Sequence, residues 1–386
     1  MAAHTAVWRE QLTADESAQL VRGAAAIAQP RPDVLVVGGG MVGVATAAAC
    51  YQAGCGSVLL IEGGELGSGA TGGAAGLLVP EAHAWSDPES FVQLGRASLE
   101  LWRELEATLP GGVGLTELDW IGAPPGPAGS GPRSLPAGER LDAGRVASLV
   151  PGLARPVAGV LIRRQARVNP LRALARMAAA VPSIATGTAA TSVTVRGGRV
   201  VTVSTVAGDI HPGAVVFATG MPPVLAGLAV SLPGGRLKGH LLVTEPSPVR
   251  LPGTVVPVAT QIEGGRLLAG GTLDIGDESP GVRQDVIDSI LAGLYAQLPE
   301  VTGLRAAYQW CCFRPRHPDG YPVIDRIPGL GNAWLTSGHF RTGILMAPIT
   351  AQLITQWISA SEPPAEAAAW NSARFTHERP GRACQA

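Results

Sequence analysis

A tight glycine turn between a buried strand and a helix constrains this chain more than any other feature. Asp33-Val34-Leu35-Val36-Val37 reads as a short strand, and Gly38-Gly39-Gly40-Met41-Val42-Gly43 leads directly into an alanine-rich run from Val44 to Ala53. Strand, glycine turn and helix in that order open a parallel α/β unit that takes a dinucleotide. Gly38 permits the turn, Gly40 lets a pyrophosphate approach the backbone at the helix N-terminus, and Gly43 lets helix and strand pack closely. Ser57 to Ile61 reads as the second strand, and Glu62 at its end stands where a carboxylate bonds the hydroxyls of an adenosine ribose. Gly38, Gly40, Met41, Val42, Gly43, Glu62 and Gly63 are therefore the first expected ligand contacts.

Nicotinamide and flavin dinucleotides share that grip, so later segments must separate them. After Glu62 the chain runs Gly67-Ser68-Gly69-Ala70-Thr71-Gly72-Gly73-Ala74-Ala75-Gly76-Leu77, small residues whose N–H groups suit a long, flat ligand. A nicotinamide enzyme has no need of such a stretch. Gly213-Ala214-Val215-Val216-Phe217-Ala218-Thr219-Gly220 is an apolar strand ending in Thr-Gly, which by itself is equally an ordinary core strand. Near the end lies Gly338-His339-Phe340-Arg341-Thr342-Gly343-Ile344-Leu345-Met346-Ala347.

That last segment resembles the flavin-closing segment of glycine oxidases in the D-amino-acid oxidase family, close to GHFRNGILLAP, with Thr342 in place of Asn and Met346 in place of Leu. Gly67–Leu77 is similar to the family's S/T-G-A-A-A-G-M segment, with Leu77 replacing Met. Gly213–Gly220 resembles the second FAD fingerprint. The resemblance spans Asp33 to Phe375 and implies FAD as cofactor. It puts Ser68, Thr71, Gly73, Ala74, Ala75, Gly76 and Leu77 beside the pyrophosphate, ribityl chain and flavin ring. It matches Val193 to a valine that contacts the adenine, adds Thr219 and Gly220, and brings in Gly338, His339 and Thr342 from the closing segment. It also sets the N–H groups of Gly343, Ile344 and Leu345 at the flavin's pyrimidine edge, at the start of a helix with Pro348 in its first turn.

Flavin amine oxidation needs a neutral amine and a carboxylate held by a cation in a dry site. Phe313-Arg314-Pro315-Arg316-His317-Pro318-Asp319-Gly320-Tyr321-Pro322 resembles the family segment L-R-P-x-x-x-D-G-x-P, whose arginine takes the substrate carboxylate, and this role passes to Arg314. A guanidinium suits it because it is always charged and grips a carboxylate with two parallel hydrogen bonds. Arg341 matches an arginine beside flavin and substrate; holding the substrate, stabilising charge near the reduced ring, and a structural bond to a neighbouring loop all stay open. Lys238, the single lysine among 29 basic residues, has a structural reading, which is favoured, and a second one as a cation that speeds the reaction of flavin with oxygen. Cys312 stands seven residues before Asp319, where sarcosine oxidases carry the cysteine bonded to FAD; a small buried thiol is the preferred reading.

Charged residues make up only 15% of the 386, with a formal net charge of −1, which gives no case for nucleic acid or an acidic membrane. The abundance of Gly, Ala and Pro reads as a GC-rich bacterial genome. Cys50, Cys55, Cys311, Cys312 and Cys384 show no zinc spacing and leave an odd thiol, which favours the cytoplasm over a secreted disulfide framework. Neither an export signal nor a run of about 18 apolar residues is found. Thr13-Ala14-Asp15-Glu16 reads as the cap of a short helix reaching toward Ala28. The segment 1–32 has no assigned role, a packing arm or frayed terminus being expected.

The expected fold class is α/β: a discontinuous, two-dinucleotide-binding-type (Rossmann-like) FAD domain over 33–85, 155–225 and 318–386, and an inserted α+β substrate domain over 86–154 and 226–317 on a mainly antiparallel sheet. Helices are expected from Pro88-Glu89, from Asn169-Pro170 and over Gln284–Leu298, with strands at Ser192–Val195 and Val200–Thr205 around a turn at Gly197-Gly198. Gly122 to Gly138 reads as a loop, either a surface excursion or a substrate lid. The activity implied by the resemblance is oxidation of glycine, an N-substituted glycine or a small D-amino acid to an imine and then a 2-oxo acid plus amine, with hydrogen peroxide from oxygen. No tyrosine stands in Thr254–Gly270 to match the family's substrate-domain tyrosine. A dehydrogenase of the same fold that feeds a partner or quinone is the nearest alternative, and a noncatalytic flavin-binding protein is one of another class. Self-association into a homo-oligomer stays open.

Overall fold

The structure is a computed structural model that describes residues 6–23, 30–122 and 137–375. Most of the loop expected between Gly122 and Gly138 thus lies outside the described residues.

Val34–Val37 is apolar at every position and buried at every position, as a strand covered on both faces must be. It is central in a six-stranded sheet of order Val323–Arg326, Ala333–Ser337, Ala214–Gly220, Val34–Val37, Val58–Ile61, Ser183–Ala185. All neighbours are parallel except the first pair. Helices Met41–Gln52, Pro170–Ala179 and Ala347–Ala360 cover one face with a core that includes Val34, Val36, Val44, Leu174 and Ile354. On the other face Leu35, Val37, Leu59 and Phe217 meet a small antiparallel sheet of Ala190–Arg196, Arg199–Thr205 and Gly208–Ile210. Its expected turn is present, and Gly197 and Gly198 both take positive φ there.

The second sheet has nine strands, in the order Ala306–Arg316, Gly235–Pro246, Arg266–Gly270, Ala259–Gln261, Gly253–Val256, Thr116–Gly122, Gly159–Arg167, Leu77–Leu78, with Glu139–Leu141 beside Gly159–Arg167. It is antiparallel apart from the pairing of Gly253–Val256 with Thr116–Gly122, so the expected α/β class with a mainly antiparallel second sheet holds. Helix Gln284–Gln297 packs Ile287 and Leu294 against Leu242 and Leu267 on one side of it.

The helix signals act as local chemistry dictates. Asn169 accepts from the N–H groups of Leu171 and Arg172, with Pro170 in the first turn. Thr13 and Glu16 form a full capping box for Ala14–Leu20, and the helix ends short of Ala28 because Val21 leaves the helical conformation, with φ −130° and ψ 70°. In the closing segment regular helix begins at Ala347, later than the expected start at Gly343. The delay comes from a turn in which both the N–H and the hydroxyl of Thr342 bond the His339 carbonyl.

Candidate active site

A cavity of about 610 Å³ lies where the central parallel strands end and the nine-stranded sheet crosses them. Open α/β sheets bind ligands at such strand ends. Gly38, Gly40, Met41 and Val42 line one end, with Glu62 and Gly63 beside them. Gly38 has φ 118°, and a Cβ there would stand 2.5 Å from the Ala218 carbonyl oxygen. Gly43 does not line the cavity: a Cβ on it would lie 1.9 Å from the Gly38 carbonyl oxygen, so its work is to let the helix touch the turn. The helix Met41–Gln52 has no side-chain cap, which leaves its N-terminus open to an anion, while the Met41 N–H donates to the Thr71 hydroxyl at 3.0 Å. Glu62 accepts from the N–H groups of Gly39 at 2.6 Å and Gly64 at 2.8 Å, which fixes its carboxylate in the wall.

The small-residue stretch forms the floor. Ser68, Thr71, Ala74, Ala75, Gly76 and Leu77 line it. Gly73 stands behind them; its carbonyl accepts from the Trp310 indole at 3.0 Å and the Cys312 thiol at 3.3 Å, and a Cβ there would meet the Cys312 Cβ at 2.3 Å. Thr219 and Gly220 line the wall, but Val193 is buried in the core under the small sheet. Thr188, Ala189, Pro223 and Leu225 form that end instead. They are short residues in connections, without a pattern that marks them in the sequence.

At the far end the wall holds Arg314, His339, Phe340, Arg341, Gly343 and Ile344. Gly338, Thr342 and Leu345 lie outside it: Gly338 packs on the His317 ring, Thr342 folds back on His339, and the Leu345 carbonyl accepts from Ser98 and Trp102. Phe340 takes φ 47°, a left-handed conformation that a bulky residue keeps only under strong constraint. His339 is buried and bonded to Thr350, and burial pushes its pKa down to about 3, so the ring is neutral at physiological pH. Burial also lowers the His317 pKa.

Arg314 reaches this end because of register. Pairing of Leu237 with Arg314 and of Gly239 with Cys312 puts these four on one face of the sheet, together with Trp310. A Cβ on Gly239 would stand 2.0 Å from Arg314 Nη1, so only glycine lets the guanidinium cross there. Nη1 donates to the Thr272 carbonyl at 2.8 Å, and among the described residues Arg314 forms no salt bridge, the Asp274 carboxylate acting on it only from beyond contact. Desolvation and then the neighbouring Arg341 charge act to lower its pKa from 12.5. Lys238 pairs with Phe313 and so lies on the opposite face, fully buried, with Nζ bonded to Ser279 and Asp277. Burial raises the Cys312 pKa, and its thiol points to the Gly73 carbonyl and is not part of the cavity wall.

Thr336 adds a signal that the sequence did not carry. Its hydroxyl is buried in the cavity wall with no hydrogen-bond partner among the described residues, a cost that a ligand in the cavity relieves. The helix N-terminus, the Glu62 carboxylate, the floor of small residues and the unbonded Thr336 hydroxyl all fit FAD. Residues 33–357 match the family described as DAO, FAD dependent oxidoreductase. The chain is 28% identical over 349 residues to a glycine oxidase of Pseudomonas putida, covering 86% of this chain and 95% of that protein. It is 31% identical over 211 residues to a D-amino acid dehydrogenase of Cereibacter sphaeroides, covering 51% of this chain and 46% of that one. In fold it is similar to glycine oxidase from Geobacillus kaustophilus, with a TM-score of 0.74 at 24% identity over 89% of this chain and 99% of that one. The chain belongs to the DAO family and is an FAD-dependent oxidoreductase.

Proposed function

We propose that the enzyme oxidises a small amino acid (glycine, an N-substituted glycine such as sarcosine, or a small D-amino acid) and that oxygen takes the electrons. The observation that carries this reading is the largely buried guanidinium of Arg314 in the cavity wall, near a second cation, Arg341, and without a salt-bridge partner among the described residues. Two like charges at one cavity end, Arg314 largely buried and Arg341 exposed, favour an anionic ligand. A carboxylate matches the guanidinium fork, and the Thr272 carbonyl engages only Nη1.

Bound FAD supplies a two-electron acceptor for the substrate's α C–H. The protein's part is to hold the carboxylate at Arg314, to keep the floor from Ser68 to Leu77 flat, and to exclude water. His339 is neutral and tied to Thr350, so it brings no competing charge to the wall. The substrate loses its α hydrogen and an amine proton to become an imino acid, and water then yields a 2-oxo acid and the amine. Oxygen takes up the two electrons and two protons as hydrogen peroxide. The free thiols Cys50, Cys55, Cys311 and Cys312 fit a cytoplasmic setting.

A panel of glycine, sarcosine and small D-amino acids, added without oxygen, tests the reading by bleaching of the flavin absorbance. No bleaching with any of them would remove it. A second reading, transfer of electrons to a partner or quinone, is favoured by the likeness to D-amino acid dehydrogenase. Peroxide yield measured beside turnover with an artificial acceptor separates the two.

A further inference from the structure

We propose that the N-terminal arm from Val7 to Leu20 positions the cofactor, and that Trp8 holds the Ala74–Ala75 peptide so that its N–H faces the FAD cavity. This inference is independent of the substrate.

Trp8 is fully buried although it precedes the dinucleotide strand by a long stretch of chain. Its indole N–H donates to the Ala74 carbonyl at 2.8 Å, and its ring meets Trp310 edge-on at 6.3 Å between centroids. Trp310 in turn donates to the Gly73 carbonyl at 3.0 Å. Two successive carbonyls of the cofactor floor are therefore held by two indoles from opposite parts of the sequence. The Ala74–Ala75 bond is trans, and in a trans peptide the N–H points away from the carbonyl. Holding the Ala74 oxygen on Trp8 thus aims the Ala75 N–H the other way. Ala75 lines the cavity, and among the described residues its N–H has no acceptor, so a donor stands ready for a ligand atom.

The arm is anchored well enough to act as a brace. Glu16 accepts from Arg176 at 2.9 Å and stands 3.5 Å from Arg172, both on the helix Pro170–Ala179. Asn169, which caps that helix, donates to the Trp8 carbonyl at 2.9 Å. The Leu66 N–H donates to the Leu20 carbonyl at 3.0 Å, at the entrance to the same floor segment. Tyr308, on the strand that carries Arg314, donates to Glu10. A brace of this kind acts by keeping the floor in its binding form before FAD arrives, which is where preorganisation raises affinity.

Trp8→Phe keeps the ring and removes the N–H. Its apoprotein, titrated with FAD and followed by flavin fluorescence, should bind about tenfold more weakly if the released floor is in its binding form about a tenth of the time. Arg163→Ala, which lies outside the arm and removes only exposed pairs with Asp119 and Glu139, should bind as the unaltered protein does. An unchanged dissociation constant in Trp8→Phe, with a lowered melting temperature of the apoprotein, would overturn the proposal and leave the arm a packing element. Amide hydrogen exchange on the unaltered protein needs no variant: FAD should slow exchange at the Ala75 N–H. Equal exchange with and without FAD at that amide also sinks the idea.

Discussion

On the dinucleotide side of the cavity one continuous stretch, Gly38 to Leu77, supplies the helix N-terminus, the carboxylate of Glu62 and most of the floor; on the other side Gly271, Arg314 and the segment Thr336 to Arg341 arrive from three separate parts of the chain. The first end works through backbone, since glycines and turns decide what approaches it. The second works through side chains, whose placement depends on the register of strands distant in sequence. Injury to the first should therefore cost the cofactor, and injury to the second should cost chemistry while the cofactor stays.

The largest effect separates two glycines of the same turn. A Cβ on Gly40 would meet only the Thr71 hydroxyl, at 3.4 Å, so the protein itself accepts a side chain there. Gly40→Val should fold and yet purify colourless, because its branches fill the place where the pyrophosphate nears the helix. Gly43→Ala should instead lose stability, by about 1–3 kcal/mol or more, as the helix is pushed off the Gly38 carbonyl. Absorbance at the flavin bands and melting temperature, read together, check the pair. Full FAD content in Gly40→Val would contradict the placement of the cofactor.

Next comes Arg314. Arg314→Ala leaves the substrate charge in a dry site without its partner, a loss of about 3–5 kcal/mol, or several hundredfold or more in kcat/KM. FAD content should not change, since Arg314 comes from the strand Ala306–Arg316 and not from the segment that carries Glu62 and the helix N-terminus. Arg314→Lys should restore only part of the rate, because a point charge lacks the fork. Near-normal turnover by Arg314→Ala would remove the carboxylate anchor, and with it the amino-acid reading.

A smaller effect, which also bears on both ends, is acid sensitivity. His339 keeps its ring neutral in the fold down to about pH 3, whereas its ordinary pKa is 6.5. The unfolded chain thus binds the extra proton first as pH falls. Stability from this group is complete above pH 6.5 and declines progressively toward pH 3. Because His339 lines the cavity, flavin release should follow the same window. His339→Gln should flatten the melting-temperature profile between those limits, and an unaltered profile would assign the acid loss to other groups.

How much of this could be seen in the sequence follows the same division. The strand, turn and helix at Val34–Gln52 depend on neighbours in the chain, and so do the caps at Thr13 and Asn169; residue type at fixed spacing is enough to find them. Arg314 was found only through likeness of its segment, for nothing local marks one arginine among many. Gly239 was visible as a glycine beside Lys238, but its reason, the guanidinium that crosses it, exists only once Gly235–Pro246 pairs with Ala306–Arg316. Thr336 and Trp8 were not visible at all. An orphan hydroxyl and an indole bonded to a remote carbonyl are properties of packing, and no pattern of residue types encodes them.

The smallest expected effect concerns Lys238, and it tests whether the sheet divides the chemistry as its register says. A lysine near a flavin can speed reoxidation by stabilising superoxide, which makes the only lysine of the chain a natural suspect. Its charge, however, is already engaged: Nζ lies 3.2 Å from Asp277 and 2.9 Å from the Ser279 carbonyl. Alternation also points it to the face opposite Arg314, where His240 bonds Asp274 and Cys311 bonds the Gly281 carbonyl. Lys238→Met should therefore leave the rate of flavin reoxidation by oxygen within about twofold of normal, as for any charge held on the far side of a sheet and neutralised by its partner. Melting temperature should fall, because Asp277 loses its buried partner and keeps only Arg283 and Ser279, and the segment from Gly271 to Arg283 loses an anchor. That segment carries the Thr272 carbonyl that steadies Arg314, so KM for the amino acid should rise modestly while kcat is kept. Reoxidation slowed tenfold or more, with FAD content and KM unchanged, would put the lysine's charge at the flavin and break the division between the two faces.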